Sequence, residues 1–237
     1  MVDELEWILN RYTPDMLWIA DDVFTIHHGW LAQFAAEMRR RKLQIPFECI
    51  SRADRINEQV ADLLAELGCF RIWIGSESGS QRVLDAMQRG VTTTQVRDAV
   101  DVCKYRGIQT GMFLMWGYEG EEMEDVEATI HHVKRAAPDI FFTTVAYPIR
   151  GTPYFGEVAD RVTTTKLWAD SSDRDFRIRG RHSRRFYQHA DKLLRAEVEL
   201  DKKASDPAWD DSILAELRER IAQAREGLRE SYAEPEA

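Results

Sequence analysis

Phe70-Arg71-Ile72-Trp73-Ile74-Gly75-Ser76-Glu77-Ser78-Gly79-Ser80 is the stretch that decides how this chain folds. An apolar, β-branched run breaks into a small-residue turn with one carboxylate and three hydroxyls, and Gln81 to Met87 then takes up a helical pattern. A buried parallel strand delivers polar groups to its carboxyl end in this way before the chain returns as a helix. Ser80 is a candidate N-cap, and the open amides of a helix start suit hydroxylated or anionic ligand groups.

The same unit repeats on both sides of that stretch. Short apolar runs predict strands at 16–20, 46–50, 108–116 and 139–146. Helical spacing predicts helices at 3–12, from Trp30 through Met38, at 57–67 with Gly68 as terminator, at 94–105 and at 124–136. Five alternations with short links and no sign of antiparallel hairpins require a parallel sheet with right-handed crossovers. Every strand's carboxyl end is polar or glycine-rich: Asp21-Asp22, Arg52, Glu77-Ser78, Gly117 to Glu121, Tyr147-Pro148. A barrel gathers ligand groups from many strand ends, whereas an open doubly wound sheet concentrates them at one switch point. The expected fold is therefore α/β, a partial (β/α) TIM-like barrel with a C-terminal helical tail. Its boundaries fall at 1–158 for the barrel, 159–185 for a polar, Arg-rich connector and 186–237 for the tail.

Hydrophobic residues make up 44% of the 237 and charged residues 31%, the balance of a globular protein with a sizeable core. No apolar run approaches the roughly 20 residues of a membrane span, and the acidic start Met1 to Glu6 has no signal-peptide pattern, so the expected location is cytoplasmic. A net charge of −9 argues against attraction of the whole protein to nucleic acid. Arg174, Arg177, Arg179, Arg181, Arg184 and Arg185 form a local basic cluster, either an anion site or solvated arginines of a connector. Ile213, Leu214, Leu217, Ile221 and Leu228 recur at helical spacing in the tail, and Glu234 to Ala237 reads as a frayed end. The three cysteines, Cys49, Cys69 and Cys103, are scattered and suggest neither a disulfide framework nor a zinc pair.

Taken in order, Trp18 to Phe24, Ser51 to Asp54, Ile74 to Ser80, Met87 to Thr92, Gly117 to Glu121 and Tyr147-Pro148 with Gly151 to Pro153 resemble the radical S-adenosylmethionine superfamily. The likeness covers about residues 3–158 and is closest to members that often carry an upstream cobalamin-binding domain. It implies a six-stranded barrel whose first loop holds a 4Fe–4S cluster on Cys-x3-Cys-x2-Cys, with S-adenosylmethionine on the open iron and 5′-deoxyadenosyl radical chemistry as the outcome. No such triplet occurs in this sequence, so the first strand and its cluster loop are expected to be absent and no catalysis is implied for the chain alone.

By the same resemblance, Asp21 and Asp22 face the methionine amino group, with Asp22 as a turn cap in the alternative. Arg52 pairs with the methionine carboxylate or, structurally, with Asp54 or Glu48. Glu77 and Ser78 accept ribose hydroxyls or serve the turn, while Gly117, Tyr147 and Pro148 border the adenine. Cobalamin would enter through a missing upstream domain. Two rivals stand beside this reading: a (β/α) barrel enzyme using Asp21, Asp22, Glu77 and Glu119 with a divalent metal, and a non-catalytic fragment or partner-binding subunit. A missing first strand would also leave residues 16–20 as an apolar open edge. Self-association there is expected over coverage by the tail, because a helix cannot supply ladder hydrogen bonds.

Overall fold

The computed structural model describes residues 1–164, 170, 175–204 and 209–236. In chain order it runs α1 (Val2–Arg11), β1 (Leu17–Ile19), α2 (His28–Arg41), β2 (Phe47–Ser51), a 3-10 turn (Ala53–Arg55), α3 (Glu58–Leu67), β3 (Cys69–Glu77), α4 (Gln81–Ala86) and α5 (Thr93–Tyr105). It continues with β4 (Gln109–Trp116), α6 (Met123–Ala136), β5 (Ile140–Val145), α7 (Pro153–Val158), β6 (Val162–Thr164), β7 (Phe176–Ile178), α8 (Arg184–Ala204) and α9 (Asp211–Ser231). Strands β1 to β5 form one parallel sheet in sequential order, with β1 and β5 at its edges. No described helix is long and apolar enough to cross a membrane.

The chain divides into two compact units: Met1–Glu77, Arg89–Leu114 and Arg135–Phe142 in the first, and Ser78–Gln88, Met115–Lys134 and Thr143–Ala237 in the second. In the first unit, α3 begins where Asn57 Oδ1 accepts from Val60 N at 2.9 Å and ends at Gly68, whose φ of 93° is the left-handed stop that glycine provides. Helix α5 starts with a full capping box between Thr92 and Gln95. Both helices pack on β3, and the alternation of strand side chains sends Ile72 and Ile74 into that interface with no exposed surface. Trp73 points to the opposite face, between Phe113 at 5.0 Å and Phe142 at 5.1 Å, with its indole N–H held by Glu48 Oε2 at 2.8 Å. Trp73 lies flat only because Gly111 is beneath it: a Cβ there would come within 2.3 Å of the ring.

In the second unit α8 packs along α9, burying Leu193, Leu194, Leu217 and Leu228. The helical stripe of the tail is thus occupied in part, with Ile213, Leu214 and Ile221 half-buried. Two expectations change here. The connector contains an antiparallel pair, β6 with β7, where no antiparallel pairing was expected; its strands are only three residues long, too short for a two-residue period to show. The frayed end is instead anchored: Glu236 is 9% exposed, its N–H donates to Arg181 O at 2.7 Å, and its carboxylate pairs with Arg181 Nη2 at 2.7 Å.

Candidate functional site at the strand carboxyl ends

The carboxyl ends of β1, β2 and β3 belong to the first unit. After β1, Asp21 and Asp22 are both exposed. Asp21 Oδ1 accepts from Val23 N at 3.1 Å, so Asp21, and not Asp22, caps the turn. After β2, Arg52 donates to Asp54 through Nε at 2.8 Å and Nη2 at 3.2 Å, and through Nη2 to Arg89 O at 3.0 Å. Its structural partner is Asp54; Glu48 serves Arg71 and Trp73 instead.

Glu77 ends β3 with a φ of 59°, a left-handed conformation uncommon for a side chain of its length. The β3–β4 register skips between Gly75 and Glu77, so Ser76 is bulged out and Glu77 is turned at the end of the strand. Its Oε1 lies 3.0 Å from Arg89 Nη2, while Oε2 has no partner among the described residues. Burial raises its pKa above the usual carboxylate range, against the opposing pull of Arg89. Gly75 leaves a cradle beside this pair: a Cβ there would stand 3.0 Å from both Arg89 Nη2 and Glu77 Oε1. Backbone strain, a half-buried carboxylate and an unused acceptor meet at one residue, which is a pattern of ligand sites.

The ends of β4 and β5 belong to the second unit and differ in character. Gly117 has a φ of 73°, and a Cβ on it would meet the Tyr187 ring at 2.8 Å. Its N–H donates to Glu121 Oε2 at 2.5 Å. Arg181 Nη1 donates to Gly117 O at 3.3 Å and Ala146 O at 2.5 Å, while the Arg181–Glu236 pair has both side chains 8% exposed. Glu121 is 3% exposed, its Oε1 has no partner, and burial pushes its pKa up to about 8 despite the Gly117 hydrogen bond. Tyr147 is half-buried and Pro148 buried.

Two serine expectations need correction. Ser78 is fully buried, its hydroxyl 3.3 Å from Thr129 Oγ1 and accepting from Ser80 N at 3.1 Å, so it holds the turn and presents no hydroxyl to a ligand. Ser80 occupies the N-cap position of α4, but its hydroxyl donates to Asp125 Oδ1 at 2.6 Å and not to the helix. In the basic cluster, Arg181 and Arg185 are ion-paired, Arg184 has no partner among the described residues, and Arg174 lies outside them.

The cysteines do not fit an iron–sulfur cluster. Cys49 is on β2, Cys69 opens β3 and Cys103 is on α5, all buried. Hydrogen bonding to Cys69, then burial, raises the Cys49 pKa, and burial takes Cys103 to about 12, so these groups stay thiols where a cluster needs thiolates. Among the described residues no three His, Cys, Asp or Glu side chains gather as a metal site.

A parallel five-stranded α/β sheet with polar groups at its strand carboxyl ends belongs to the class of partial (β/α) TIM-like barrels. The family described as the radical SAM superfamily matches residues 1–133, and the chain belongs to it. An uncharacterized methyltransferase of Pyrococcus horikoshii is 31% identical over 170 residues, 71% of this chain and 37% of the relative. The anaerobic magnesium-protoporphyrin IX monomethyl ester cyclase of Rubrivivax gelatinosus is 26% identical over 164 residues, 68% of this chain and 30% of the relative. The solved structure of the radical S-adenosylmethionine methyltransferase TsrM from Kitasatospora setae, with cobalamin and a 4Fe–4S cluster bound, has a TM-score of 0.61 at 20% identity. It covers 70% of this chain and 36% of that one, and shares the fold. The chain thus spans about a third of the length of the proteins it matches.

Proposed function

We propose that this chain is the S-adenosylmethionine-binding part of a radical enzyme, and that the strand ends of the first unit take the cofactor. Glu77 carries the proposal: its Oε2 is an unused acceptor on a strained strand end, suited to the vicinal hydroxyls of a ribose. Arg52, fixed by Asp54 and the Arg89 carbonyl, presents its guanidinium to the methionine carboxylate, and exposed Asp21 or Asp22 takes the amino group. Gly117, Tyr147 and Pro148, which the superfamily resemblance gives to the adenine, lie in the second unit, and the N–H and C=O of Gly117 are taken by Glu121 and Arg181, so they are left out of the proposal. Ser78 has only the turn role.

S-adenosylmethionine supplies radical chemistry when a cluster is present; the residues of this chain bind and orient it, and no cluster-dependent step is assigned to them. With methyltransferases and a cyclase among the relatives, methyl transfer, with cobalamin held outside this chain, is the proposed outcome. No observation favours the metal-dependent rival. Equilibrium dialysis of the chain against labelled S-adenosylmethionine is expected to give saturable binding that adenosine competes away. Absence of saturable binding by the folded chain would reject the proposal.

A further inference from the structure

A second cavity with the marks of a ligand site lies between β5 and α8 in the second unit. It has a volume of about 520 Å³, within the range of small-molecule sites. Trp116 and Thr143 line its strand side, and Arg184, Gln188, Asp191 and Lys192 its helix side.

Three features distinguish it from a packing gap. Trp116 is 1% exposed, yet its Nε1 donor has no partner, the unsatisfied state that buried polar atoms avoid. Arg184 and Lys192 have no ion-pair or hydrogen-bond partner among the described residues. The one acid of the cavity is already engaged: Asp191 accepts from Thr143 Oγ1 at 2.5 Å and from Arg195 Nε at 2.8 Å. Among the described residues, the cavity therefore offers two exposed cations without an ion-pair partner and one buried spare donor. Four-residue spacing puts Arg184, Gln188 and Lys192 on one face of α8, with roughly 12 Å of helix rise between the two cations. Arg184 also sits at the amino-terminal end of α8, where its charge opposes the helix dipole and an anion would be favoured.

We infer that this cavity binds a small organic oxyanion, a carboxylate or a phosphate ester, gripped by Arg184 and Lys192 and accepting from the Trp116 indole N–H. This is independent of the S-adenosylmethionine reading. The full chain labelled with 15N-tryptophan provides the test, with the Trp116 indole resonance assigned from the Trp116→Phe spectrum. Citrate and phenyl phosphate are titrated separately at constant ionic strength, with sodium chloride as reference. Saturable movement of the Trp116 resonance in either arm is expected, and the responding arm tells carboxylate from phosphate. In the folded double variant Arg184→Gln/Lys192→Gln the affinity is expected to fall at least tenfold. No movement in either arm, movement equal to that with chloride, or unchanged affinity in the double variant overturns the inference.

Discussion

The strand ends of the two units solve opposite problems. In the first, Asp21 and Asp22 are exposed and Glu77 keeps one oxygen unused. In the second, the carbonyls of Gly117 and Ala146 are taken by Arg181, which is in turn neutralised by Glu236 close to the end of the sequence, and Tyr187 lies against Gly117. Polar atoms at a strand end are satisfied by the protein, by water or by a ligand that displaces the water. Where the protein does it, the residues report on stability; where it does not, they report on binding.

The sharpest way to break this contrast is at Glu236. Glu236→Ala leaves the Arg181 guanidinium buried and unpaired, an expected loss of about 3–5 kcal/mol. Urea unfolding is expected to show it, and Arg181→Met/Glu236→Leu should recover most of it. A loss below about 1 kcal/mol would mean that the pair is hydrated and the second unit's strand ends are open.

Glu121 gives the next effect, in pH. Its pKa is about 8 in the fold against an ordinary 4.5, so the folded state binds the proton more tightly. That contribution is complete below pH 4.5, declines as the pH rises and is lost above about pH 8, with a slope of at most about 1.4 kcal/mol per unit. Glu121→Gln is therefore expected to gain stability relative to wild type between pH 5 and pH 8 in thermal melts. A parallel pH dependence of the two proteins would show that Glu121 is solvated.

A smaller effect is expected at Gly117. Gly117→Ala meets both a positive φ and the Tyr187 ring, at a cost of about 1–3 kcal/mol. Gly180, with a φ of 88° and nothing within 4 Å of an added Cβ, isolates the backbone part. Equal losses for Gly117→Ala and Gly180→Ala would show that Tyr187 does not press on the strand end.

The sheet order was legible because each strand is a short apolar run between a terminator such as Gly68 and a polar end such as Glu77. The polar ends were legible for the same reason, but not their assignments. Ser78 and Ser80 look alike in sequence, and only the approach of Thr129 and Asp125 from α6 spends their hydroxyls. Glu121 reads as one more acid of a strand-end loop; its burial follows from Tyr187 and Arg181, which are 60 or more residues away in the chain. Arg181 and Glu236 lie in a connector and a terminus, where local pattern carries no signal of a buried pair. Gly117, four residues before Glu121, was the one local hint, since it allows its N–H to reach the carboxylate.

The central claim is that Glu77 is the cofactor-facing acceptor of the first unit. Calorimetric titration of S-adenosylmethionine into the wild-type chain and into Glu77→Ala tests it most directly. Loss of one charge-assisted hydrogen bond, about 1.5–3 kcal/mol, predicts a fall in affinity of roughly 10- to 150-fold with the fold intact by circular dichroism. Equal affinities for the two proteins would contradict the account and leave Glu77 as a turn residue tied to Arg89 alone.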